Sequence, residues 1–298
     1  MTARETLVVG EALVDVVDGN PLPGGSAANV AVALGRLGQS VSLATQLCDD
    51  EPGRLVREHL ESSRVAVRAE AGARTSVARA VVDSTGSASY EFDVEWNPDF
   101  DDLVSSHAVH VGSFSALTGS AVRDVLGRST GTITYDINVR PQLMPANARR
   151  DVEALIERAD LVKASEEDLA WLYPSMPADR AARALVDLGP RAVFLTRGAS
   201  GAVLLTRDRA IAIPAVDVDV VDTIGAGDTF AAGLLHALDR EGFLGGPLTA
   251  GEEVLVRAGR FAAWLAAQTA ARQGADPPWD AIYEEVLELH PTQDTRAK

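Results

Sequence analysis

A chain of 298 residues with 46% hydrophobic and 5% aromatic residues has ample material for a packed core, as one large α/β domain or two smaller ones. Its formal net charge of −16 arises from 43 acids against 27 lysines and arginines, with no basic stripe, which argues against a nucleic acid or an anionic membrane surface as partner. The single cysteine, Cys48, excludes a disulfide framework and a multi-cysteine metal site, and it suits a reducing, cytoplasmic setting.

Short β-branched runs alternate with Ala- and Leu-rich stretches of helical period: a strand at 7–9, a helix over 27–37, a strand at 41–44 and a helix over 53–62. Residues 10–17 also have the composition of a strand. Further strands at 109–112, 132–135, 161–163 and 192–196 predict a mostly parallel sheet covered by helices. One region breaks the rhythm, where strands at 76–83 and 88–94 are joined by Ser84-Thr85-Gly86-Ser87 with no helix between them. They read either as a small sheet with one side over a ligand cleft or as a plain surface hairpin. Helical stretches at 229–238 and 261–271 follow, interrupted by His236 and Gln268 and shorter than the roughly 20 apolar residues that cross a bilayer. Gly274-Ala275-Asp276-Pro277-Pro278 punctuates the second of them, and the tail from His290 is polar. The start, from Met1 into a charged turn and Leu7-Val8-Val9, shows no signal-peptide pattern.

The segment Asp222-Thr223-Ile224-Gly225-Ala226-Gly227-Asp228-Thr229-Phe230 carries the most chemistry. Gly225, Ala226 and Gly227 have little or no side chain, so their N–H groups can converge on an anion at the N-terminus of the helix that follows. An acid inside such a site makes sense if Asp228 faces a hydroxyl whose proton leaves as a phosphoryl group arrives. The only two lysines, Lys163 and Lys298, are not placed for a P-loop. The V-A-I-K and H-R-D elements of protein kinases are missing, and Phe230 stands where a dinucleotide fingerprint needs its third glycine. A second glycine cluster, Pro23-Gly24-Gly25-Ser26-Ala27-Ala28-Asn29, opens a helix with Val30, Ala33, Leu34 and Leu37 on one face, leaving Asn29 in the first turn away from the core. With Asp15 nearby in sequence, a carboxylate that accepts and an amide that accepts and donates make a suitable grip for adjacent hydroxyls.

These two segments resemble the two signature regions of the ribokinase-like (PfkB) carbohydrate kinases, in the expected order and about 200 residues apart. Gly10-Glu11-Ala12-Leu13-Val14-Asp15 is similar to that family's opening strand. Asp136-x-Asn138-x-Arg140-Pro141 and Lys163-x-Ser165-Glu166-Glu167-Asp168-Leu169 resemble two central motifs, and Thr196-Arg197-Gly198-x-x-Gly201 and Gly274-Ala275-Asp276-Pro277 resemble nucleotide-side loops. The resemblance covers nearly the whole chain. It implies a single domain over 1–298, a three-layer α/β/α body with a mostly parallel central sheet and a small β lid from about 11–21 and 74–97. It further implies Asp228 as base and Gly225, Ala226 and Gly227 as anion hole. Asp15, Gly25, Asn29, Phe92 and Arg140 would hold the sugar, and Ser165, Thr196, Gly198, Gly201, Thr223 and Gly274 the nucleotide. ATP would be the donor and Mg²⁺ its companion, with Asp168 organising metal-bound water. Asp222 matches a position that helps hold a monovalent cation, so K⁺ is a further implied cofactor. Two departures stand out. Cys48 occupies a position usually held by Gly before Asp49-Asp50, and Ser165-x-x-Asp168 replaces Asn-x-x-Glu, where Glu166, Glu167 and Asp168 would equally form an acidic helix start.

The implied reaction is transfer of the γ-phosphoryl group of ATP to a sugar hydroxyl. The opening strand together with Asp136-x-Asn138-x-Arg140-Pro141-x-Leu143 is most similar to fructokinases. The rival, 2-keto-3-deoxygluconate kinase, shares D-x-N-x-R and sets the arginine on a sugar-acid carboxylate. Asp15 favours a neutral sugar, and Arg140 would then be a structural ion pair. A nucleoside kinase with Tyr90, Phe92 or Trp96 stacked on a base is a third reading. A catalytically silent sugar-binding protein and a dinucleotide-dependent dehydrogenase lie outside the class. The edges of the lid strands offer a route to a homodimer.

Overall fold

The computed structural model describes residues 4–17, 19–82, 88–105, 107–145 and 147–289. Within them the chain builds two sheets. The larger contains β1 (Thr6–Val9), β4 (Val41–Leu47), β5 (Ala66–Ala71), β8 (Ala108–Gly112), β9 (Thr132–Asp136), β10 (Leu161–Ser165), β11 (Ala192–Thr196), β12 (Ala202–Leu205) and β13 (Ala210–Ile213). Its order is β13-β12-β11-β10-β9-β8-β1-β4-β5, parallel from β5 to β11 and antiparallel at the β12 and β13 edge. The smaller sheet, ordered β3-β2-β6-β7, is made by β2 (Leu13–Val17), β3 (Asn20–Gly24), β6 (Val77–Val82) and β7 (Ala88–Asp93).

Alternation along the strands creates the layers. Leu7, Val9, Val193 and Leu195 pack under α3 (Ala121–Arg128), α4 (Ala148–Ile156), α5 (Glu166–Leu172) and α6 (Ala178–Asp187). Val8, Leu43 and Phe194 point the other way, toward α1 (Ser26–Arg36), α2 (Glu51–Ser62), α7 (Ala226–Arg240) and α8 (Glu252–Ala270), with α9 (Tyr283–Leu289) against α8. β1 and β11 are mostly apolar on both faces because helices cover both, as the sequence rhythm predicts. α1 and α7 are buried along almost their whole length, which fits their runs of Ala, Val and Leu and makes them rigid mounts for whatever their ends carry. No helix among the described residues is long and apolar enough to cross a membrane.

Residues 10–17 are not one strand. The chain leaves the central sheet at Gly10, which passes so close to α1 that a Cβ there would stand 2.6 Å from that of Ala27, and then enters the small sheet as β2. β3 escapes sequence reading because Pro21 and Pro23 argue against a strand, yet it lies at a sheet edge, where missing N–H donors are tolerated. The expected hairpin exists as β6 and β7. Its turn Ser84 to Ser87, the side chains of Ala80, Val81, Val82 and Tyr90, and the tail from His290 lie outside the described residues. Trp96 is a core residue rather than a stacking surface: it is buried, donates from Nε1 to Ser115 O at 3.0 Å and meets Phe100 edge-on. After the Cys48 turn, Asp50 caps α2 through Gly53 N at 2.8 Å and also accepts from Thr75 N at 2.9 Å.

Candidate active site

Between the two sheets lies a cleft of about 630 Å³. The small sheet contributes Leu13, Asp15, Ala78 and Phe92, the start of α1 contributes Gly25, Ser26 and Asn29, and the start of α7 contributes Gly225, Gly227 and Asp228. Asn138, Arg140 and Gln142 follow β9, and Glu167 lies in the first turn of α5. The carboxyl ends of the central strands face this cleft, the usual position for a ligand on a parallel sheet.

Asp228 sits in the first turn of α7, where peptide dipoles favour a negative charge. Ser26 Oγ donates to its Oδ1 at 2.7 Å and Asn29 Nδ2 to its Oδ2 at 2.8 Å, so the two signature segments meet at this carboxylate. Burial pushes the Asp228 carboxyl above its ordinary range, against the bonds from Asn29 and Ser26 and the charges of Lys163 and Arg140. Gly225 caps α7 with φ 75°, and a Cβ there would stand 2.5 Å from the Cβ of Ala275, so only glycine fits. Asn29, expected among the sugar-binding residues, lines the cleft and gives one amide donor to the acid. Asp15 lines the cleft with its carboxyl raised by burial to about 6.

Three residues that were given no role in the sequence reading stand at the centre of this region. Glu11 accepts from Ser26 N at 3.3 Å and from Ser115 Oγ at 2.5 Å, and burial raises its carboxyl to about 7. Lys163 Nζ bonds both oxygens of Asp136, at 3.0 and 2.9 Å, beneath the α7 N-terminus. Burial is the largest single influence and lowers the Lys163 pKa, but the charges of Asp136, Asp168 and Asp228 and the bond to Asp136 together outweigh it and keep the ammonium above its usual value. The sequence signal for this pair was the isolation of a lysine in a strand of buried residues.

The nucleotide-side expectations divide. Thr223 lines the cleft with Ile224, whereas Ser165, Thr196, Gly198, Gly201 and Gly274 stand beyond its lining. Ser165 and Thr196 end β10 and β11, and Gly198 begins the turn closed by Gly201. Asp222 accepts from Ile224 N at 3.0 Å and from Gly274 N at 2.9 Å, tying the α7 loop to the loop after α8. Asp168 is held as a helix cap: Oδ2 accepts from Ser165 N and Oγ, both at 2.7 Å, and Oδ1 accepts from Val139 N at 2.7 Å. The acid of this turn that reaches the cleft is Glu167, not Asp168.

A family model described as pfkB family carbohydrate kinase matches residues 5–282. The chain belongs to this family. Among relatives of this pfkB-family kinase, a fructokinase of Rhizobium leguminosarum bv. trifolii is 33% identical over 266 residues, covering 80% of this chain and 81% of the relative. A fructokinase of Klebsiella pneumoniae is 33% identical over 259 residues, covering 79% and 84%. Among solved structures, aminoimidazole riboside kinase from Salmonella enterica, complexed with aminoimidazole riboside and an ATP analogue, superposes with a TM-score of 0.79 at 26% identity over 95% of this chain and 99% of that one. Fructokinase from Xylella fastidiosa with bound ATP shares the fold, with a TM-score of 0.82 at 24% identity over 96% and 99%. The pfkB-family assignment and the three-layer fold with its small second sheet therefore agree with the reading of the sequence.

Proposed function

We propose that this chain is a cytoplasmic fructokinase that transfers the γ-phosphoryl group of ATP to a hydroxyl of fructose. The observation that carries the reading is Asp228, mounted at the N-terminus of α7 beside the small residues of the anion loop and opening onto a cleft lined with hydroxyl-binding groups. In this reading Asp228 accepts the hydroxyl proton as the phosphoryl group arrives, and the N–H groups of residues 225–227 meet the charge on the transferred group. Asp15, Gly25, Phe92 and Arg140 surround the sugar. Thr223, with the more distant Ser165, Thr196, Gly198, Gly201 and Gly274, receives the nucleotide. The small sheet acts as a lid within one catalytic domain and excludes water, and its proline-free β7 edge is available for pairing with a second copy.

The donor set suits Mg²⁺ bound mainly by water and phosphate oxygens. Among the described residues no cluster of three or more His, Cys, Asp or Glu side chains is arranged to hold a metal, and an ion of this kind needs only one or two carboxylates. Glu167 on the cleft wall supplies one, and Asp168 retains acceptor capacity on Oδ1, which takes a single protein bond. When bound, Mg²⁺ neutralises phosphate charge. K⁺ at the loop tied by Asp222 is a further element of the reading.

The acids Glu11, Asp15, Glu167 and Asp228 line the cleft against one arginine, Arg140, which supports a neutral acceptor over a sugar acid. A riboside acceptor is the second reading, favoured by the likeness to aminoimidazole riboside kinase. The test is ADP release from ATP and Mg²⁺ with fructose, ribose, adenosine, 2-keto-3-deoxygluconate and fructose 6-phosphate, with Asp228→Asn in parallel. Turnover on fructose that disappears in the variant supports the reading. Turnover confined to a nucleoside or to the sugar acid replaces fructose as the substrate.

A further inference from the structure

Four side chains along one wall of the cleft form hydrogen bonds that all run in the same direction. Arg140 Nη1 donates to Asn138 Oδ1 at 2.7 Å, Asn138 Nδ2 donates to Ser26 Oγ at 2.6 Å, and Ser26 Oγ donates to Asp228 Oδ1 at 2.7 Å. Chemistry sets the direction. A guanidinium only donates, so the Asn138 amide turns its oxygen to Arg140 and its NH₂ to Ser26. A hydroxyl that accepts from that amide has its one proton left for the carboxylate. Asn138 holds its place with φ 38°, in the left-handed region that asparagine tolerates better than most residues.

Resting on the phosphoryl-transfer reading above, we infer that Arg140, Asn138 and Ser26 act in series as positioning residues for Asp228, so that Oδ1 is gripped by a fixed donor while the carboxylate stays open to the acceptor hydroxyl. Arg140 therefore serves the base at two removes instead of receiving a substrate carboxylate. Ser26, which opens α1 beside Gly25, is the link that touches the acid. Asn29 holds the other oxygen from the same helix, so the carboxylate plane is set by two donors one turn apart on α1.

The charges facing Asp228 are Lys163 from β10 and Arg140 from the segment after β9. Against them stand Glu11 from the β1–β2 connection, Asp15 from β2 and Asp136 from β9. Burial raises the Asp228 carboxyl, and the Ser26 bond favours the ionised form. Cutting the series anywhere lets the carboxyl rise further.

The test is a titration of the Asp228 carboxyl by carbon-13 NMR in protein labelled at aspartate Cγ, its signal assigned by disappearance in Asp228→Asn. The proteins compared are the wild type, Ser26→Ala, Asn138→Gly and the double variant. Glycine suits the left-handed backbone at position 138, so that variant removes the side chain without adding strain. Ser26→Ala is expected to raise the midpoint by about one pH unit, because a donor to a charged group is lost, and Asn138→Gly to raise it by less, because Ser26 keeps its hydroxyl but loses the partner that orients it. The double variant should rise no further than Ser26→Ala, since a series is cut only once. The acid limb of kcat should move with the midpoint, and kcat should fall more than KM rises. An unmoved midpoint in Ser26→Ala, or shifts that add in the double variant, overturns the series. The titration needs no turnover, so a wild-type protein silent toward every sugar would sink the proposed function while the midpoints still decide this inference.

Discussion

Lys163 sets its ammonium directly behind Gly227: a Cβ on that glycine would lie 3.0 Å from Nζ. The same nitrogen is bonded to both oxygens of Asp136, and both side chains are buried. In the proposed reading, the ammonium end of this buried ion pair backs the loop that receives the phosphoryl group.

Lys163→Met should therefore do two things. Leaving Asp136 buried without its partner should cost about 3–5 kcal/mol in urea unfolding. Turnover should also fall in the fraction that stays folded. Joining it with Asp136→Asn should recover much of the stability but not the turnover. Recovery of both would show that the pair has no part in the chemistry.

Asp228→Asn keeps the shape of the carboxylate and removes its basicity. The expected loss is about 10²–10⁴ in kcat, with KM for the sugar little changed. Steady-state kinetics with purified protein decide this, and a variant retaining more than a tenth of the activity would move the base elsewhere.

Glu11 ties stability to pH. Its carboxyl is raised by burial to about 7 from 4.5, so between those values the folded protein holds a proton that the unfolded chain has released. Its stabilising contribution is complete below the unfolded value and is lost as pH rises through the folded one. Compared with Glu11→Gln, the wild type should lose roughly 3 kcal/mol between pH 4.5 and pH 7.5. Melting curves of both proteins at several pH values provide the measurement, and parallel pH profiles would count against a proton held on Glu11.

Gly225→Ala combines an unfavourable φ with a collision against Ala275. It should lower stability by about 1–3 kcal/mol and reduce turnover, because relief of the collision displaces the start of α7. Thermal unfolding and kinetics on one preparation would separate the two effects, and a variant with unchanged turnover would mean that the loop adjusts without disturbing Asp228.

The layered fold was legible because parallel strands and their helices repeat strong patterns within a few residues. Elements whose form depends on distant partners were not. Composition runs β2 together with Gly10 as one strand over 10–17, and only the resemblance puts 11–21 in the lid; in the structure the chain leaves the central sheet at Gly10, close against α1, and enters the small sheet. Asp228 and the loop before it were legible as an unusual acid among small residues. Ser26 was not, because a serine opening a helix reads as an ordinary first-turn residue, and its partner lies 202 positions away. The capping box that Asp168 closes with Ser165 was half legible, since an acidic helix start is one of the two readings that Glu166, Glu167 and Asp168 allow. Trp96 reads as a stacking surface because aromatic residues suit that role, but its indole N–H finds Ser115 in the core.

The small sheet joins the body where the chain runs β1, β2, β3 and α1 in succession. Its first two strands begin just after Glu11 and end just before Ser26, so their points of attachment are the residues that hold the acid in place. In the proposed reading, a movement of the small sheet would reach the acid through Ser26, one of its two donors, rather than through α7, on which the acid itself is mounted.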